Sequence, residues 1–98
     1  MTITKSAADG TMYMALDGRL DTSTAHQLEE ELKASLPGTT ELTLDFSGLD
    51  YLSSAGLRVL LAAQKTMNGR GKMTICHVNE AIMEVFELTG FVDILNIL

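Results

Sequence analysis

The 98-residue sequence contains one cysteine, one proline and no tryptophan. The single cysteine, Cys76, rules out an internal disulfide and favours a reducing compartment. No apolar run approaches the roughly 20 residues that a membrane-spanning helix needs. The N-terminal segment also lacks the apolar stretch of a secretory signal. We therefore expect a cytoplasmic protein that does not bind a membrane.

Basic residues are also scarce. Seven lysines and arginines stand against thirteen aspartates and glutamates, which gives a net charge of −6. An acidic chain with scattered basic residues lacks the electrostatic footprint of a nucleic-acid-binding protein. A role in transcription would therefore pass through another protein. With 46% apolar and 20% charged residues, the composition predicts one globular domain, residues 1–98, that is stable as a monomer.

Alternating apolar and polar residues predict three strands in this chain, at residues 12–16, 42–46 and 73–77. Asp9-Gly10 is a two-residue hairpin signal, and it predicts a further strand at residues about 2–7 that pairs with the first of these. The segment at residues 47–52 breaks the alternation. It is predicted to be a short link.

Apolar residues at helical spacing predict three helices, at residues 25–36, at residues 54–68 and after residue 79. Thr24 and Gln27 have the spacing of a capping box at the start of the first helix. Asn79 is expected to cap the third helix, and Gly90 to end it in the left-handed conformation. Residues 94–98 fit either a strand or a last helical turn.

The predicted order of elements is ββαβαβα. Strands that alternate with helices indicate an α/β fold, with right-handed crossovers between parallel strands. We expect a mixed, mostly parallel sheet after an N-terminal hairpin, with three main helices.

The junction before the second helix is the most informative segment. Ser53, Ser54, Ala55 and Gly56 follow one another where the helix begins. A serine there usually caps the helix, which is worth about 1 kcal/mol. Capping does not explain four small residues in a row, one of them a helix-weakening glycine. We interpret the run as a low, open surface that another macromolecule approaches closely.

Two segments resemble signatures of the STAS domain family. Residues 53–57 resemble the Asp-Ser-Ser/Thr-Gly-Leu motif of its anti-sigma-factor antagonists, in which the first serine, here Ser54, accepts phosphate. Residues 18–21, followed by Thr22 and Ser23, resemble the family's Gly-Glu-Leu-Asp segment. The resemblance covers essentially the whole chain in order and spacing, including the strand that leads into the junction.

The resemblance implies a STAS-like fold and a regulatory role without catalytic residues or cofactors. The unphosphorylated domain would bind an anti-sigma factor with serine kinase activity. Phosphorylation of Ser54 would release it, and a Ser/Thr protein phosphatase would reset the cycle. The positions implied to contact the partner are Asp21, Thr22, Ser23, Ser53, Ser54, Gly56, Leu57 and Arg58.

The sequence departs from the family motifs at three positions. Ser53 replaces the aspartate before the phosphoacceptor, Ala55 replaces the following serine or threonine, and Arg19 replaces the glutamate of the first segment. The change at Ser53 supplies a second hydroxyl, so Ser53 is the alternative phosphoacceptor. For Asp21, a role as an acid at a helix start competes with partner contact.

The sequence disfavours a hydrolase and a metal site, and it leaves one alternative within the same fold. A hydrolase's nucleophile elbow needs a glycine where Leu52 stands. Cys76 and His77 are adjacent on a predicted strand and should point to opposite faces, so we expect no metal site. Within the same fold, the alternative is a soluble STAS subunit of a membrane lipid or anion transport complex.

Overall fold

A computed structural model describes residues 1–98 and shows four strands, three α-helices and one short 3-10 helix. In chain order the elements are β1 (Thr2–Ala8), β2 (Thr11–Leu20), α1 (Ala25–Ser35), β3 (Glu41–Leu52), α2 (Ser54–Asn68), β4 (Lys72–Cys76), α3 (Glu80–Thr89) and the 3-10 helix (Phe91–Asp93). The predicted α/β order of elements is therefore confirmed.

The strands form one sheet in the order β1-β2-β3-β4. β1 and β2 are antiparallel, whereas β2, β3 and β4 are parallel. Asp9 and Gly10 both have positive φ, 50° and 84°, as a two-residue hairpin turn requires. The connections from β2 to β3 and from β3 to β4 each lead to the next strand in the same direction along the sheet. Because such connections are right-handed, α1 and α2 lie on the same face of the sheet.

The core lies between that face of the sheet and the helices. Met14, Leu44 and Ile75 are register partners on β2, β3 and β4, and all three are fully buried. On the helix side, Phe86 of α3 packs against Phe46 of β3, with ring centroids 6.4 Å apart. None of the three α-helices combines the length and the apolar character of a membrane span.

β3 is longer than the sequence predicts, because residues 47–52 continue the strand instead of forming a link. The pairing of β2 with β3 shifts twice, between Ala15 and Asp17 and again between Gly18 and Arg19. Each shift places an extra residue in β3 opposite β2, as in a β-bulge. A bulge interrupts the two-residue alternation, and the segment therefore lacks the pattern of a strand.

The predicted capping box at the start of α1 is wrong. The Thr24 hydroxyl donates to the Arg19 carbonyl at 2.7 Å, and the Gln27 amide donates to the Met1 carbonyl at 2.9 Å. Neither side chain satisfies a free amide of α1 in the way that the box requires. The Thr24 hydroxyl holds the start of α1 to β2, and the Gln27 amide holds α1 to the N-terminus.

The predicted ends of α3 are confirmed. The Asn79 carboxamide oxygen accepts a hydrogen bond from the Ile82 amide at 2.8 Å, and Gly90 has a left-handed φ of 79°. Within residues 94–98 the structure shows a strand-like contact at one residue, while the helical turn lies earlier, at Phe91–Asp93. After the 3-10 helix, Ile97 forms an isolated parallel bridge with Ile75 of β4.

Candidate functional site

The two adjacent serines lie at the carboxyl edge of the sheet, where β2 and β3 end side by side. Leu20 and Leu52 are register partners, and the Ser53 amide donates to the Leu20 carbonyl at 2.9 Å. Ser53 is the only residue between β3 and α2. The loop that follows β2, beginning at Asp21, therefore lies beside the start of α2.

The hydroxyls of the two serines occupy opposite environments. Ser53 is the N-cap of α2, with an extended backbone, but its Oγ is buried and has no hydrogen-bond partner. The serine cap expected from the sequence is therefore not made by its side chain. Ser54 is the first residue of α2 and is exposed to solvent. Of the two candidate phosphoacceptors, Ser54 has the hydroxyl on the surface.

Gly56 is buried, and its size is required by packing. A Cβ atom at Gly56 would lie 2.7 Å from Cγ of Leu20 and 2.7 Å from Cδ1 of Leu52, well inside van der Waals contact. Leu57 is also in the core, with 7% of its surface exposed. The interpretation of Gly56 as part of an open surface is therefore wrong, because its absent side chain lets α2 pack on the ends of β2 and β3.

Asp21 organises the turn before α1. Its Oδ1 accepts hydrogen bonds from the Ser23 hydroxyl at 2.7 Å, the Ser23 amide at 3.0 Å and the Thr24 amide at 3.2 Å. These bonds, led by the one from the Ser23 hydroxyl, lower the pKa of Asp21 below its ordinary value. The carboxylate is thus engaged within its own loop, as the helix-start interpretation predicts. Thr22 and Ser23 are exposed next to it.

A cation–π pair at this edge was not apparent from the sequence. Arg19 and Tyr51 are register partners, and the Arg19 guanidinium lies 4.1 Å from the centroid of the Tyr51 ring. Both side chains are exposed, and Arg19 Nε lies 3.5 Å from Oδ2 of Asp21. The pairing depends on the second register shift between β2 and β3, which only the strand alignment reveals. Arg58 is exposed one turn along α2 from Ser54.

The two histidines each lie against an acidic side chain. His26 is exposed on α1, with Nδ1 3.6 Å from a Glu29 carboxylate oxygen. His77 lies against Asp45, with Nδ1 3.0 Å from Oδ1. A nucleophilic serine needs a base within hydrogen-bond reach. Neither histidine makes a hydrogen bond to Ser54, so the structure shows no Ser–His pair at the start of α2.

The expectation that Cys76 and His77 point to opposite faces is wrong. His77 follows the end of β4 with a φ of 58°, and its imidazole, the Cys76 thiol and the Asp45 carboxylate have ligand atoms within 4.8 Å of one another. The Tyr13 hydroxyl donates to Oδ2 of Asp45. These residues form a polar cluster on the sheet face opposite the helices.

Hydrogen bonding and burial shift three pKa values in this cluster. The bond from Tyr13 to Asp45 raises the pKa of Tyr13 to about 12. Burial alone would raise the pKa of Asp45, but hydrogen bonds from Tyr13 and from the Ser47 amide outweigh it and hold that pKa below its ordinary value. Burial and the nearby Asp45 charge raise the pKa of the Cys76 thiol.

Comparison with known proteins finds relatives of similar length. The chain is 40% identical over 96 residues to BtrV of Bordetella bronchiseptica, named as a candidate anti-sigma factor antagonist, and the match covers 96% of this chain and 83% of that protein. It is 27% identical over 99 residues to an anti-sigma-B factor antagonist of Staphylococcus aureus, with 99% and 92% covered.

The fold is also that of a solved structure, the Bacillus cell fate determinant SpoIIAA in its phosphorylated form. The two superpose with a TM-score of 0.77 over 99% of this chain and 91% of that one, at 16% identity. The family model described as Mlab, STAS domain matches residues 3–96. The chain belongs to the STAS domain family.

Proposed function

We propose that this protein is an anti-sigma-factor antagonist that binds an anti-sigma factor with serine kinase activity and is released when Ser54 is phosphorylated. The observation that carries the proposal is the contrast between the two serines. A kinase must bring the γ-phosphate of ATP to a free hydroxyl. Ser54 is exposed, whereas the Ser53 Oγ is buried.

The proposed partner surface consists of the exposed residues at the carboxyl edge around Ser54. Of the positions implied by the family resemblance, Thr22, Ser23, Ser54 and Arg58 are exposed. Gly56 and Leu57 are buried, so they shape this surface from behind instead of contacting a partner. Two exposed residues, Arg19 and Tyr51, are added because they lie on the same edge.

Phosphorylation at Ser54 suits the fold and disfavours the complex. A phosphoryl group adds roughly −1.5 to −2 charges at neutral pH. The free amides and positive dipole at the start of α2 would stabilise it by about 0.3–1 kcal/mol, and Arg58 lies four residues along the same helix face. In the complex, the same dianion would have to be desolvated in the interface. A penalty of about 3 kcal/mol already weakens binding more than a hundredfold.

Two features support a regulatory role without catalysis. The curated relatives carry anti-sigma-factor antagonist names. Both histidines lie against acidic side chains, Asp45 and Glu29, and neither makes a hydrogen bond to Ser54. In the proposed cycle the chain is therefore a substrate of its kinase partner and of a Ser/Thr protein phosphatase that removes the phosphate.

The test uses unphosphorylated protein as bait in a lysate of the source organism. Recovery of an anti-sigma factor with a kinase domain is the expected result. Recovery of a membrane permease without such a kinase would contradict the proposal and support the alternative, a subunit of a lipid or anion transport complex. The recovered kinase is then incubated with ATP and with the wild type, Ser54→Ala or the matched control Ser53→Ala, and phosphosites are mapped by mass spectrometry.

We expect phosphate on Ser54 in the wild type and in Ser53→Ala, and none in Ser54→Ala, which should still bind the kinase. Ser54→Asp should fold normally, because an acid is favourable at a helix start, and should bind the kinase more weakly. Phosphate on Ser53 of the wild type, or undiminished phosphorylation of Ser54→Ala, would show that the assignment is wrong.

A further inference from the structure

Three side chains with different metal-binding chemistry meet where β4 ends, on the sheet face opposite the helices. A carboxylate oxygen of Asp45, Sγ of Cys76 and an imidazole nitrogen of His77 all lie within 4.8 Å of one another. The shortest separation is 3.0 Å, between Nδ1 of His77 and Oδ1 of Asp45. The partner-switch function proposed above makes no use of these residues.

The backbone brings this cluster together by two separate means. Asp45 and Cys76 are register partners on the adjacent parallel strands β3 and β4, so their side chains share one face of the sheet. His77 would point away if the strand continued, but its φ of 58° turns the chain and returns the imidazole to that face. A positive φ is uncommon in a residue other than glycine.

The carboxylate of the cluster is held in place from two sides. Its side chain is only 9% exposed. Oδ1 accepts the Ser47 amide at 2.9 Å, and Oδ2 accepts the hydroxyl of Tyr13. A carboxylate ligand is usually oriented by hydrogen bonds of this kind, and such partners strengthen metal affinity.

We propose that Asp45, Cys76 and His77 bind one Zn²⁺ ion. Thiolate, imidazole and carboxylate are the three ligand types that zinc takes in proteins, and three protein ligands leave a fourth position for water. Bond lengths of about 2.0–2.3 Å to zinc put neighbouring ligand atoms roughly 3–4 Å apart in a tetrahedron. The ligand atoms of the cluster lie within 4.8 Å of one another, and side-chain rotation would have to bring them to that spacing. The His77 side chain is 64% exposed, which gives the ion a path from solvent.

The proposed zinc site is separate from the proposed partner surface around Ser54. Asp45 precedes Leu52, the last residue of β3, by seven positions in the strand, which corresponds to roughly 20 Å. A second set of potential ligands on α1, His26, Glu29 and Glu30, has no thiol and no buried member. Its carboxylates are not held by neighbouring hydrogen bonds, so it provides a matched control.

The test measures Zn²⁺ binding to the tag-free full chain by calorimetry and Co²⁺ binding by absorption spectroscopy. The variants are Cys76→Ser, His77→Ala and the control His26→Ala, each checked for folding by circular dichroism. Neither Cys76 nor His77 is fully buried, so both variants should fold.

We expect one Zn²⁺ per chain in the wild type and in His26→Ala, with a thiolate-to-cobalt charge-transfer band in both. Cys76→Ser should lose that band. Cys76→Ser and His77→Ala should each bind Zn²⁺ at least about tenfold more weakly, since loss of a group that only hydrogen-bonds to a metal ligand already costs about 10–100-fold. Absence of stoichiometric binding in the wild type would overturn the proposal. So would unchanged affinity in folded Cys76→Ser and His77→Ala, or loss of binding in His26→Ala.

Discussion

Replacement of Ser53 by alanine should leave the protein as stable as the wild type or more stable. Loss of a serine N-cap normally costs about 0.5–2 kcal/mol, because a hydrogen bond to a free helix amide disappears. The Ser53 Oγ makes no such bond, although Ser53 is the N-cap of α2. A buried hydroxyl without a partner costs about 1–3 kcal/mol. Removing it should therefore raise the free energy of unfolding by zero to about 2 kcal/mol.

The control is Asn79→Ala at the N-cap of α3. The Asn79 side chain accepts from the Ile82 amide at 2.8 Å and donates to the Leu49 carbonyl at 3.0 Å, so both bonds are lost in the variant. Equilibrium unfolding in urea should give Asn79→Ala a free energy of unfolding lower than that of the wild type by about 1 kcal/mol or more, and Ser53→Ala an unchanged or higher free energy of unfolding. A loss of 1 kcal/mol or more in Ser53→Ala would refute the reasoning, since it would mean that Ser53 does cap α2.

Two further results follow from the packing and the polar cluster. Gly56→Ala should lower the urea midpoint, because the added methyl group overpacks against Leu20 and Leu52 at a cost of about 1–3 kcal/mol. This cost outweighs the gain in helix propensity of about 0.5–1 kcal/mol. A higher midpoint would mean that the two leucines move aside. The raised pKa of Tyr13, about 12, means that its protonated form stabilises the fold, so stability should fall as the pH rises through the interval from about 10 to 12. Tyr13→Phe should show a smaller fall over that interval, and an equal fall would contradict the Tyr13–Asp45 bond.

The order of the elements could be predicted from the sequence because each one depends on local periodicity. The hairpin at Asp9-Gly10 and the ends of α3 at Asn79 and Gly90 were equally predictable, since the residue types themselves favour those backbone conformations. These features need no knowledge of the neighbouring elements. The local sequence was sufficient for them.

The features that the sequence did not reveal depend on strand pairing or on an uncommon backbone conformation. The second half of β3 follows the bulged pairing with β2, in which the spacing of inward residues changes at each register shift. The approach of His77 to Asp45 depends on one positive φ in a residue that rarely adopts it. Alternation within a strand predicts the opposite placement. A rule about strands fails here because β4 ends at Cys76, one residue before the histidine.

The small residues at the start of α2 do not all have the same cause. Gly56 is small because Leu20 and Leu52 leave no room for a Cβ atom, and this requirement would hold without any partner. Ser54 lies on the exposed side of the same helix turn, where nothing in the packing demands a small side chain. Packing therefore explains the glycine but not the surface serine, for which we propose the role of phosphoacceptor. In that proposal, a phosphoryl group on Ser54 would change what the surface presents to a partner and would leave the contacts of α2 with β2 and β3 in place.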